Sequence, residues 1–123
     1  FFNMFNDNKI KLTGLRYFNV YGPRQDYRRS IPPVMSAFII KLLKNERPTI
    51  FGKTEKRRDF IHVKDINNFH LMCIEDERTD NNVFNLGTGI DYSIVEIFKI
   101  IKELLSSKLE PIYKPDGKFL VFS

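Results

Sequence analysis

From Leu15 to Arg24 the chain reads Leu-Arg-Tyr-Phe-Asn-Val-Tyr-Gly-Pro-Arg, an apolar stretch that is broken by Gly22-Pro23. Leu12, Leu15, Tyr17 and Phe18 give the mostly buried pattern of a strand over Lys11 to Phe18, and a polar loop is predicted from Asn19 to Ser30. An apolar strand of this kind has to be covered by other elements. Where such a strand opens into a loop, α/β proteins place their ligands.

The remaining sequence supplies the covering elements. Pro32 and Pro33 open an amphipathic helix in which Val34, Met35, Phe38, Ile39, Leu42 and Leu43 share one face. Pro48 to Phe51 reads as a strand ended by Gly52, and Asp59 to Val63 as another, the two joined by the basic loop Lys53 to Arg58. Asp65 is placed to cap a helix from Ile66 to Glu75, with Phe69, Met72 and Cys73 turned to one core. Asn82 to Leu86 is a strand closed by Gly87 and Gly89. Ser93 and Glu96 form a Ser-x-x-Glu capping box ahead of a helix that runs to about Ser107, and Pro111 to Lys114 is a last strand. Phe1 to Phe5 read as the final turns of a further helix. The alternation is that of an α/β protein.

With 123 residues, 42% of them hydrophobic and 12 of them Phe, the chain can bury a core of its own. It contains no apolar run long enough to span a membrane and no signal-peptide pattern, so a cytoplasmic setting is expected. The one cysteine, Cys73, excludes an intrachain disulfide and a Cys-rich metal site, and its apolar neighbours predict a buried, inert thiol. The net charge of +5 is concentrated in two places, Arg24, Arg28 and Arg29, then Lys53, Lys56, Arg57 and Arg58. Such clusters suit phosphate. They lie in loops, and no zinc-finger or RNP-type pattern accompanies them, which argues against a nucleic-acid partner.

Chemistry is confined to few positions. Asn19 can donate and accept toward a sugar hydroxyl or a phosphate oxygen, or tie its own loop as an Asx-turn. Phe51, at a strand end, can stack on a base or serve as core. His62 and His70 have no second ligand at metal spacing, so a metal role is not assigned. Asp59 and Asp65 read as loop anchor and helix cap. Gly87-Thr88-Gly89 precedes a helix but lacks the third glycine of a dinucleotide fingerprint.

Three strings together, Leu15-Arg16-Tyr17-Phe18-Asn19-Val20-Tyr21-Gly22-Pro23-Arg24, Arg57-Arg58-Asp59-Phe60-Ile61-His62-Val63 and Asn85-Leu86-Gly87-Thr88-Gly89, carry a resemblance. The chain resembles the extended short-chain dehydrogenase/reductases, specifically the NAD-dependent nucleotide-sugar epimerases and dehydratases of the UDP-glucose 4-epimerase type. The resemblance implies an α/β fold, with residues 1–22 a remnant of the Rossmann side that includes its last strand. Residues 23–116 would be the smaller substrate-binding lobe, and residues 117–123 a tail without a match. It implies that Tyr17 and Phe18 lie beside the NAD cofactor. Asn19, Arg29, Thr49, Ile50, Phe51 and Arg58 would hold a nucleotide-sugar of the UDP-hexose type. Arg58 would grip the diphosphate, residues 49–51 would pair with and pack on the uridine, and the Asn85 to Gly89 segment would be a structural turn.

Family members carry a Gly-rich NAD-binding turn and a catalytic Tyr-x-x-x-Lys, and neither occurs in this sequence. No catalytic residue and no metal ligand is therefore assigned. The expectation is the C-terminal third or so of such an enzyme, a fragment inactive alone, with its Rossmann part supplied in another chain or by a split gene. The apolar tail reads as out-of-frame sequence rather than as a divergent last strand. A non-catalytic nucleotide-sugar binding module is the alternative, and a basic nucleic-acid or protein-interaction domain the weaker one.

Overall fold

The computed structural model describes residues 10–52 and 56–115; the helix expected at Phe1 to Phe5, part of the basic loop and the 117–123 tail lie outside them. Among the described residues, seven strands and three α-helices follow one another, with a short 3-10 turn at Glu77–Thr79: β1 (Gly14–Tyr17), β2 (Asn19–Tyr21), α1 (Val34–Leu43), β3 (Thr49–Phe51), β4 (Arg57–His62), α2 (Val63–Glu75), β5 (Val83–Leu86), β6 (Asp91–Ser93), α3 (Ile94–Leu104) and β7 (Ile112–Lys114). The strand pairs β1–β5, β2–β4 and β3–β7 are all parallel, as expected of an α/β protein. The chain divides into two compact units, one of residues 1–23 and 59–90, the other of residues 24–58 and 91–123. The chain passes from the first unit to the second after Pro23, returns at Asp59 and leaves again after Ile90.

In the first unit, β1 lies in register with β5 from Gly14↔Val83 to Tyr17↔Leu86. Buried Ile61, Ile66 and Leu86 form its core, with Leu15, Val20, Phe69 and Phe84 packed on them. The rings of Phe69 and Phe84 meet edge to face with centroids 5.5 Å apart, a favoured aromatic geometry. Val20 and Tyr21, expected in a loop, are strand residues, because β4 offers them a partner from Phe60 to His62. The start of α2 also differs from expectation. The helix begins at Val63, and His62 caps it by accepting the Lys64 N–H on Nδ1, so Asp65 falls within the first turn and is not the cap. Its charge there still suits the helix dipole. Cys73 is half-buried rather than enclosed.

In the second unit, α1 packs on α3 through Phe38 and Phe98, whose rings lie edge to face at 5.6 Å. Phe38, Leu42, Ile50, Ile97, Phe98 and Ile101 are buried. The expected face of α1 is only partly covered, since Ile39 is 38% and Leu43 68% exposed. α3 carries the capping box read from the sequence, with Ser93 Oγ accepting the Glu96 N–H and the Glu96 carboxylate accepting the Ser93 N–H. The helix ends at Leu104, short of Ser107, because Ser106 takes a positive φ of 50°. Arg47 ties the entry of β7, donating from Nε to Glu110 O at 2.8 Å and from Nη2 to Pro111 O at 3.0 Å.

Ser93→Ala removes the hydroxyl that satisfies an otherwise orphaned N–H of α3. The expected cost is about 1 kcal/mol in urea denaturation, with the slope of the transition unchanged.

Candidate functional site

The extended run from Gly14 to Tyr21 changes partner in its middle. Up to Tyr17 it follows β5, and the Phe18 N–H still donates to Leu86 O at 3.0 Å; from Asn19 it follows β4. In α/β proteins ligands are taken at the carboxyl ends of the parallel strands. Phe18 and Asn19 occupy the point of exchange. Phe18 is 46% exposed, and its ring lies over Gly87 so closely that a Cβ there would come within 2.4 Å of Phe18 Cδ2. The half-buried Asn19 donates from Nδ2 to Asp59 O at 2.7 Å. The Asx-turn alternative is thereby set aside, since the amide is tied to the neighbouring strand and not to its own loop. Its carbonyl end and second donor make no hydrogen bond among the described residues.

Asp59 is the organising residue. Its carboxylate accepts from the Thr88 N–H at 2.9 and 2.8 Å, from Thr88 Oγ1 at 2.8 Å and from the Gly89 N–H at 2.8 Å. Partial burial opposes the charge of Asp59, yet the Thr88 and Gly89 donors outweigh it and hold the carboxyl below the usual aspartate range. Gly87-Thr88-Gly89 is consequently a structural turn. The N–H groups that would cradle a phosphate are engaged by a carboxylate of the chain itself.

This bears on the NAD that the resemblance implies. Tyr17, 47% exposed, shares a hydrogen bond of 2.7 Å between its hydroxyl and His70 Nε2, and the two rings meet edge to face. Tyr17 and Phe18 offer aromatic surface, but a dinucleotide also needs an anion-binding turn for its pyrophosphate, and the glycine turn described here is filled. The described residues do not by themselves fit a complete NAD site.

In the second unit, the adjacent arginines at the start of β4 differ. Arg57 donates from Nε to Asp91 Oδ1 at 2.8 Å and pairs with Glu96 at 3.0 Å, which joins it to the capping box of α3. Successive strand residues point to opposite faces. Arg58 is exposed and its side chain makes no hydrogen bond or ion pair among the described residues. Arg29 is likewise exposed. In β3, Ile50 is 2% exposed and Phe51 49%, so the core residue of the segment is Ile50 and the accessible aromatic is Phe51. Pro48 O and Gly52 N bond to β7. In a parallel strand the backbone groups of alternate residues face alternate edges. Those of Thr49 and Phe51 therefore face away from β7, and no other strand pairs with β3 among the described residues.

Sequence reading placed Asp59 as a loop anchor without showing what it anchors, and it missed His62 as a cap. The Asp59 contact spans 29 residues to Thr88, which no local pattern reports. The only signals were an acidic residue opening an apolar strand and a small-residue turn closing another.

The model of the NAD dependent epimerase/dehydratase family matches residues 2–87. The chain belongs to that family. It is 38% identical over 118 residues to ADP-L-glycero-D-manno-heptose-6-epimerase of Brachyspira hyodysenteriae, a match covering 93% of this chain and 37% of that protein. The crystal structure of UDP-glucose 4-epimerase from Thermotoga maritima with UDP-glucose superposes with a TM-score of 0.82 at 41% identity, covering 89% of this chain and 35% of the other. The UDP-glucose 4-epimerase of Thermus thermophilus in complex with NAD gives 0.76 at 26% identity, covering 89% and 35%. Family members thus bind NAD. This chain spans about a third of the length of these relatives.

Among the described residues there is no cluster of metal-ligating side chains, and no helix is long and apolar enough to cross a membrane. A groove of about 500 Å³ bounded by Tyr27, Ser36, Ile39, Ile40, Leu43 and Lys44 is mainly apolar and contains none of the candidate residues.

The Asp59 turn makes two testable statements. Its carboxyl is held below the ordinary 3.8, so the stabilisation it gives is complete above that value and is lost as pH falls through the lower, folded value. The amide proton shifts of Thr88 and Gly89 are expected to stay constant down to the ordinary aspartate range and to move only below it; a transition at or above 3.8 would contradict the assignment. Gly87→Ala brings a methyl within 2.6 Å of Asp59 Oδ2 as well as onto the Phe18 ring. It is expected to cost about 1–3 kcal/mol, as overpacking does, read as a lower melting temperature.

Proposed function

We propose that this chain is the substrate-holding portion of an NAD-dependent nucleotide-sugar epimerase of the UDP-glucose 4-epimerase type. The observation that carries the reading is Arg58, an exposed guanidinium without a partner among the described residues, in a strand whose neighbouring arginine is committed to Asp91 and Glu96. An arginine of this kind offers a planar fork of donors to a diphosphate. Arg29 adds positive charge. The unpaired edge of β3 at Thr49 and Phe51 offers a backbone N–H and C=O to the edge of a uracil, with the Phe51 ring for stacking, and Ile50 contributes the packing behind them. Asn19 addresses the sugar or its phosphate, and Tyr17 and Phe18 form aromatic surface for the nicotinamide side.

What these residues do is bind and orient. No Tyr in the sequence has a Lys four residues on, and no Gly-x-Gly-x-x-Gly occurs, so the proton-transfer pair and the dinucleotide turn belong to residues outside this stretch. Hydride chemistry requires the reacting atoms to be fixed near attack distance by both walls of a site. The isolated chain is therefore expected to bind a UDP-hexose without converting it.

Calorimetric titration of the 123-residue chain with UDP-glucose tests this. Arg58→Ala is expected to weaken binding about 10- to 100-fold, the worth of hydrogen bonds to a charged partner. Affinity indifferent to Arg58→Ala would overturn the site, and turnover of UDP-glucose with added NAD would overturn the division of labour.

A further inference from the structure

Asp59 stands in the same strand as Arg58 but touches different things. Its backbone carbonyl accepts the Asn19 amide at 2.7 Å, while its carboxylate takes the Thr88 N–H, the Thr88 hydroxyl and the Gly89 N–H within 2.9 Å. Gly87, next to that turn, lies directly beneath the Phe18 ring and within 2.6 Å, from its would-be Cβ, of Asp59 Oδ2. Asn19 and Phe18 are consecutive residues at the point where the strand changes partner. One residue thus closes a ring of contacts: Asp59 carboxylate to turn, turn to Phe18, and Asp59 backbone carbonyl to Asn19.

We propose that Asp59 is a positioning residue for ligand binding, an internal anion seated where the Gly87-Thr88-Gly89 turn would otherwise face water, which fixes Asn19 in the arrangement that receives a nucleotide-sugar and holds the Phe18 ring in place beside it. The inference rests on the nucleotide-sugar reading for the identity of the ligand, but not for the coupling itself. The geometry assigns two tasks to the two ends of Asp59. Turn closure needs two acceptor oxygens, because three donors converge on them, and an amide supplies one. Orientation of Asn19 needs only the main chain, so a side-chain change reaches Asn19 through the displaced strand end and the Phe18 ring rather than by loss of a bond. The carboxylate never contacts the ligand in this scheme. Its effect is on how well the binding groups are pre-arranged.

Asp59→Asn separates this from plain structural support. It keeps the shape and leaves one oxygen for the donors, with an NH2 group set against the Gly89 or Thr88 N–H. Ser93→Ala, which weakens α3 in the other unit and touches none of these contacts, is the control for lost stability. Two measurements are made on the 123-residue chain at a temperature where both variants are folded. The first needs no ligand: the Asn19 side-chain amide and Phe18 ring resonances are compared by NMR. They are expected to shift in Asp59→Asn and to stay in place in Ser93→Ala. The second is UDP-glucose titration, with affinity expected to fall about tenfold in Asp59→Asn and not in Ser93→Ala. Thr88→Val, which removes one donor and keeps the carboxylate, is expected to lie between. Unmoved Asn19 and Phe18 resonances in folded Asp59→Asn overturn the proposal. An equal loss of affinity in Ser93→Ala overturns it as well, since that is the mark of general destabilisation. If Asp59→Asn does not fold, Thr88→Val decides by the same resonances. Failure of the unaltered chain to bind UDP-glucose would overturn the nucleotide-sugar reading, while the resonances still decide the coupling.

Discussion

A carboxylate half-buried at the start of an apolar strand is tolerated only if donors replace the water it has lost, and Asp59 obtains three from two consecutive residues. The arrangement satisfies both sides. The Thr88 and Gly89 N–H groups lie just past the end of β5, where no further strand residue takes them, and the aspartate supplies acceptors that a tight turn cannot find in its own backbone. Because the hydrogen bonds run to an ionised acceptor, each is worth more than a neutral one. The positive φ of 77° at Gly89 and the missing side chain at Gly87 are the conditions for this approach, one giving the turn its direction and the other making room for the Phe18 ring.

The two arginines before Asp59 show how strand alternation sorts identical chemistry into different duties. Arg57 is consumed by Asp91 and Glu96, and it reinforces an acid that already serves the Ser93 cap. Both partners are substantially exposed, so the pairs add little to stability. Their consequence is directional: with Arg57 held to one face of β4, Arg58 is left to the other, its donors uncommitted among the described residues. An exposed arginine costs nothing to keep solvated. Its value lies in the anion it can select.

The legible parts of this fold were those encoded locally. The capping box at Ser93 and Glu96, the apolar spacing of α3 and the α/β alternation depend on residues within one or two turns of each other, and the structure has them where the sequence puts them. What depended on distant partners was misread. β2 is a three-residue strand only because β4 lies alongside it, and Asn19-Val20-Tyr21 before Gly-Pro reads as loop until that partner is known. His62 displaced Asp65 as the α2 cap because the helix starts directly from the strand end, three residues before the residue with the better capping preference. The candidate binding residues came from motif resemblance. The contacts explaining why Asp59 belongs with them span sequence separations of 29 and 40, beyond any local pattern.

The filled turn also limits what the chain can be. A glycine turn ahead of a helix invites assignment as a phosphate cradle, and the same N–H groups serve equally well for an internal carboxylate. Which occupant is present decides whether the turn binds or merely supports. Here the charge is covalently attached and its pKa is held low, so an external phosphate would have to displace an anion that cannot diffuse away. Of the two arginines in β4, only the Arg58 side chain is without a partner among the described residues. A turn filled in this way supports the strand end that carries Phe18 and Asn19.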